Sequence, residues 1–115
     1  MVFGGFSAKS VHERIVDANV VAIITADGQF RGGKEVALKP AIDEALGMES
    51  TAGVRTVIVY KRTGSATSMK EGRDQWWDDA VRGQAMDCEP TAVNAEHPLF
   101  KIGRASCRER VYSSV

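Results

Sequence analysis

Val20-Val21-Ala22-Ile23-Ile24, closed by Thr25, is an unbroken apolar run rich in β-branched residues. Its length and composition are those of a strand covered on both faces, as in a parallel sheet. Asp27-Gly28 forces a turn after it, and Arg31-Gly32-Gly33-Lys34 follows at once. Adjacent glycines let backbone amides approach a ligand closely, and the flanking Arg and Lys supply positive charge. The loop is therefore a candidate seat for an anion such as a phosphate, at the strand edge where open α/β sheets place their ligands. The plainer alternative is a basic surface hairpin, and these four residues by themselves favour it.

The remaining pattern is that of an α/β chain. Gly4-Gly5 reads as a tight turn, and Ser7 as the N-cap of a helix whose Ala8, Val11, Ile15 and Ala18 share one face. Lys9, Glu13 and Asp17 take the opposite face. Residues 1–3 read as a short stretch that begins inside an element, so something N-terminal is expected to be missing. Strand, helix and the strand at residues 20–25 would make a right-handed βαβ unit. Glu35-Val36-Ala37-Leu38 is extended. Pro40 suits the first turn of a second helix with Ile42, Ala45 and Leu46 buried and Gly47 as its stop. Residues 54–60 form the clearest strand by β-propensity, and Lys61-Arg62-Thr63-Gly64-Ser65 closes it. Two basic loops then lie on one side of the inferred sheet. A short helix is expected over residues 71–81, with Trp76, Trp77, Ala80 and Val81 as an apolar patch and Arg73, Asp74, Asp78 and Asp79 facing water. Residues 82–98 lose any pattern and read as a connection broken by Pro90 and Pro98.

The length of 115 residues suits one small domain or a piece of a larger one. Hydrophobic content of 43% against 26% charged residues is ordinary for a soluble chain. No apolar run approaches the roughly 20 residues that span a membrane, and no secretory leader is visible, so a cytoplasmic location without membrane contact is expected. Cys88 and Cys107 leave a disulfide open and give no support for a metal site. The carboxylates flanking Cys88 oppose a reactive thiolate. His12 and His97 read as a solvated helix residue and a loop residue. Asp78-Asp79 reads as a solvated face. No nucleophile, base and orienting group can be assembled by spacing, so no catalytic residue is assigned.

Five fragments carry a resemblance when taken in order. They are Val2-Phe3-Gly4-Gly5-Phe6-Ser7, Ile24-Thr25-Ala26-Asp27-Gly28, Arg31-Gly32-Gly33-Lys34, Val57-Ile58-Val59-Tyr60-Lys61-Arg62-Thr63-Gly64 and Glu71-Gly72-Arg73-Asp74-Gln75-Trp76-Trp77. Over residues 2–100 the chain resembles the AMP-forming acetyl-coenzyme A synthetases of the adenylate-forming superfamily. The resemblance implies an α/β fold: an incomplete βαβ-type parallel sheet flanked by helices, from the large N-terminal, AMP-binding domain. It implies an acetate–CoA ligase that makes acetyl-adenylate from acetate and ATP with Mg2+, then passes the acetyl group to coenzyme A. It places Arg31, Gly32, Gly33 and Lys34 against coenzyme A, the basic pair near the phosphate of its adenosine end, and Gly5 beside the adenine. Lys34 stands where the family often has Arg, which keeps the charge and loses the planar fork.

Ala95-Glu96-His97-Pro98-Leu99-Phe100 matches the family's approach to its ATP phosphate loop, with His97 for the usual Asp. The loop itself does not follow. Residues 101–115 match no part of the family and resemble the in-frame translation of a sequencing adapter, so they are expected to be an assembly artefact. They hold four of the fifteen basic residues and one of the fifteen acidic ones, leaving a body of net charge −3. The basic tail is therefore not read as a nucleic-acid arm. The expectation is a partial α/β subdomain over residues 1–100 that contributes part of a coenzyme A site and is inactive alone. The alternatives are a small α/β module that binds nucleotide phosphates without catalysis, and an inert piece that does not fold by itself.

Overall fold

The computed structural model describes residues 2–102 and 111–114. They fall into two compact units, Met1–Gln84 and Ala85–Val115. In the first, α1 (Ala8–Asp17) is capped by the Ser7 side chain, which accepts from the Ser10 N–H. It ends in a Schellman motif: Asn19 takes φ +48°, and the Val20 N–H reaches the Ile15 carbonyl at 3.1 Å. Ala8, Val11 and Ile15 are buried as their spacing predicts, whereas Ala18 lies at the exposed C-cap. No strand precedes α1 among the described residues, so the expected βαβ unit is not built around this helix.

It is built instead around α2 (Lys39–Leu46), which lies between β1 (Ala22–Ala26) and its parallel partner β4 (Thr56–Tyr60). Pro40 occupies the first turn of α2. Gly47 is its C-cap at φ −81°, so the helix stops there without using a glycine-only conformation. A third parallel strand, β5 (Asp74–Trp76), pairs with β4 and gives the order β1-β4-β5. The predicted helix over residues 71–81 is therefore corrected: only α3 (Trp77–Val81) is helical. The edge of β4 offers backbone hydrogen bonds that the preceding three residues take up as a strand.

The core is one-sided. Val57 and Val59 on β4 pack with Ala8, Val11 and Ile15 of α1, Ala45 of α2 and Val54. On the other face of the sheet Ile24 is 67% exposed, and Tyr60 is also exposed. The expectation that the Val20–Ile24 run is covered on both faces is thus not met within this chain. The two faces should respond differently to substitution. Val59→Ala is expected to cost about 2 kcal/mol, while Ile24→Thr stays within about 0.5 kcal/mol in urea unfolding.

In the second unit, β6 (Pro98–Ile102) pairs antiparallel with β7 (Val111–Ser114). The segment before it is exposed and irregular, with the His97 N–H on the Asn94 carbonyl at 2.9 Å. Cys88 is a free, exposed thiol. Cys107, the other half of any disulfide, lies outside the described residues.

Candidate functional site

Asp27 organises the C-terminal edge of the sheet. Sequence alone gives it no more than a turn, yet it is 2% exposed and uses every hydrogen-bonding group it has. Its N–H donates to the Tyr60 carbonyl at 3.1 Å, and its own carbonyl accepts from the Leu38 N–H at 3.0 Å. Carboxylate Oδ1 accepts from the backbone N–H groups of Gly28, Arg62 and Thr63 at 2.7, 2.9 and 3.1 Å, and Oδ2 from that of Gly64 at 2.8 Å. Burial pushes this carboxyl up, and the four N–H bonds, Thr63 foremost, outweigh it and hold the pKa at about 2. One side chain thereby ties the two basic loops together. Gly28 is buried where they meet. A Cβ there would lie 2.9 Å from Thr63 Oγ1 and 3.1 Å from the Val36 carbonyl oxygen. Glu35 on the neighbouring strand also accepts from the Ser65 hydroxyl.

Beyond Asp27 the chain rises into an antiparallel hairpin of β2 (Gly28–Arg31) and β3 (Lys34–Ala37), with Arg31 opposite Lys34. The turn is therefore at its tip and not at Asp27-Gly28. Gly32 and Gly33 take φ +56° and +74°, the positive values at both central positions that mark a type I′ turn. A Cβ at either would meet nothing within 4 Å, so what demands glycine here is the backbone conformation and not crowding. The plainer hairpin reading of these four residues gives their conformation correctly.

Among the predicted site residues, Gly5 joins this hairpin from the N-terminal loop. It takes φ +107°, and a Cβ on it would lie 3.6 Å from Nη1 of Arg31. The Gln29 side-chain amide donates to the Gly4 carbonyl at 3.0 Å and fastens the loop to β2. The Arg31 guanidinium lies over the Phe3 ring, 5.4 Å from its centroid. Arg31 and Lys34 are exposed, and the ion pairs of the described residues engage neither. The arrangement is a small cationic rim with free N–H donors beside a backbone loop, suited to an anionic group.

A second cluster was read wrongly from sequence. Lys39 is 1% exposed, and its Nζ donates to Asp43 Oδ1 at 2.8 Å, Asp74 Oδ2 at 2.7 Å and the Ser68 carbonyl at 3.0 Å. Arg73 bridges the same two carboxylates. Arg73 and Asp74, expected to face water, are instead held in, with the Asp74 side chain 0% exposed. Burial raises the Asp74 carboxyl, but bonds from Arg73, Lys39 and the Lys70 N–H bring it well below the usual carboxylate range. The bond to Asp74 chiefly raises Arg73 in turn. The i,i+4 spacing of Lys39 and Asp43 was the one signal available. Beside this cluster an open groove of about 330 Å³ runs past Leu46, Gly47 and Lys70. His12 is not simply solvated either: its Nε2 lies 2.7 Å from the Glu49 carbonyl. Among the described residues no group of three or more His, Cys, Asp or Glu side chains is placed to hold a metal ion. No described helix is long and apolar enough to cross a membrane.

No protein-family model matches the chain. Individual curated proteins do. It is 55% identical over 102 residues to the acetyl-coenzyme A synthetase of Nitrosomonas europaea, covering 89% of this chain and 16% of that protein. It is 59% identical over 100 residues to that of Ralstonia nicotianae, covering 87% and 15%. To that of Herminiimonas arsenicoxydans it is 55% identical over 100 residues, again 87% and 15%. The chain thus spans about 15% of the length of the curated relatives it matches. Over nearly nine-tenths of its residues it is homologous to one stretch of the acetyl-coenzyme A synthetases.

Proposed function

We propose that residues 1–100 are part of an α/β subdomain in the N-terminal, AMP-binding domain of an AMP-forming acetate–CoA ligase, and that residues 101–115 are foreign to it. The whole enzyme would act on acetate, ATP with Mg2+, and coenzyme A. This segment contributes the part of the coenzyme A site that holds the phosphate at its adenosine end, through Arg31 and Lys34, with Gly5, Gly32 and Gly33 admitting the ligand to the backbone. By itself it performs neither adenylate formation nor thioester formation. The observation that carries the reading is the convergence of Gly5 on Arg31 at the hairpin, from a loop distant in sequence. A relative, the acetyl-coenzyme A synthetase of Nitrosomonas europaea, is similar to this chain over 102 of its 115 residues.

The test is calorimetric titration of the chain with coenzyme A and with its form lacking the 3′-phosphate. Removing the phosphate is expected to weaken binding at least about tenfold, as is an Arg31→Ala, Lys34→Ala double substitution, since each removes charge-assisted hydrogen bonds. Equal binding of both forms, or binding indifferent to the double substitution, would overturn the assignment.

A further inference from the structure

The contact between Arg31 and Phe3 is one end of a longer stack. The Phe3 and Phe6 rings make a tilted contact, with centroids 5.7 Å apart and planes at 53° to each other. On the far side the Arg14 guanidinium lies 5.0 Å from the Phe6 centroid. Four side chains therefore run without interruption from helix α1 to the hairpin: Arg14, Phe6, Phe3, Arg31. The Gly4-Gly5 turn makes this possible by folding the chain back so that the Phe6 N–H meets the Phe3 carbonyl at 3.3 Å. Arg14 is itself fixed, because Nη1 donates to the Ser10 carbonyl of its own helix at 2.9 Å.

A guanidinium stacked by its face keeps its in-plane N–H donors available, so stacking and anion binding do not compete. An unsupported Arg at an exposed hairpin tip would instead sample many rotamers and lose that freedom on binding. We propose that Phe6 and Arg14 are positioning residues: through Phe3 they hold the Arg31 guanidinium with its donors presented to a phosphate at the hairpin tip. Neither needs to touch the phosphate. This rests on the anion-site reading above and adds to it the reason why an exposed arginine would be pre-ordered there.

Two readouts on the full chain separate the ideas. One is the ring-current shift of the Arg31 side-chain protons in NMR spectra, which reports the stack directly. The other is the affinity ratio between coenzyme A and its 3′-dephospho form. Phe6→Leu and, separately, Arg14→Gln are expected to move the Arg31 resonances toward their unstructured positions and to reduce the ratio about two- to fivefold. Arg14→Lys, which restores a cation over the ring, is expected to recover most of both. If the native chain prefers the phosphorylated form but Phe6→Leu and Arg14→Gln leave the ratio unchanged, the positioning role is wrong and the site reading stands. If the shifts respond while the native chain ignores the 3′-phosphate, the site reading fails and the positioning role toward phosphate falls with it, leaving only the stack. A native spectrum without shifted Arg31 protons overturns the stack itself.

Discussion

Asp27→Ala is expected to lower the unfolding free energy by about 3 kcal/mol or more, enough to leave a chain of this size largely unfolded under mild denaturant. The substitution strands four buried or partly buried N–H donors, those of Gly28, Arg62, Thr63 and Gly64. Asp27→Asn should cost roughly half as much, because its carbonyl oxygen can still serve three of them while its NH2 group opposes the Gly64 N–H. The same carboxylate dictates an acid limb. Its folded pKa of about 2 lies below the ordinary value of 3.8, so its ionised form stabilises the fold fully above about pH 4 and that contribution disappears as pH falls through about 2. Urea midpoints of the native chain and of Asp27→Asn should therefore converge between pH 4 and pH 2. A constant difference across that window would show that the carboxylate is not the anchor described.

Lys39→Met is expected to cost about 3 kcal/mol, although it replaces a charged residue by an apolar one of similar length. The lysine is buried against Asp43, Asp74 and the Ser68 carbonyl, and removing it leaves the Asp74 carboxylate enclosed with Arg73 and the Lys70 N–H as its remaining partners. A double-mutant cycle of Lys39→Met with Asp74→Asn should return a coupling above about 1.5 kcal/mol. A loss under about 1 kcal/mol in urea unfolding would reduce the cluster to the value of an exposed ion pair. Because β5 enters the sheet through Asp74, the same variant should loosen the exchange protection of the β5 amides before that of β1.

These two residues mark where sequence reasoning reached its limit. Ser7 as a cap, the stripe of Ala8, Val11 and Ile15, and the strand at Thr56–Tyr60 are legible because caps, helical spacing and β-branched runs act over a few residues. Gly32-Gly33 between Arg31 and Lys34 is likewise legible as a hairpin tip, since two left-handed residues in succession define the turn. The resemblance to acetyl-coenzyme A synthetases was legible in the order of five short fragments, and the matches at 53–59% identity bear it out.

What sequence by itself determined, then, was the α/β class, most of the elements and the family to which this stretch is similar, all carried by local pattern and motif order. The tertiary structure alone decided the rest. Asp74 and its neighbours became a strand because β4 offered an unpaired edge, and Arg73 turned inward because a buried lysine 34 positions away needed its carboxylates neutralised in common. Asp27 became the clamp of two loops because parallel strands β1 and β4 bring their ends side by side. Pairing, burial and charge compensation between residues far apart in the chain depend on which surfaces meet, and no window of neighbouring residues contains that information.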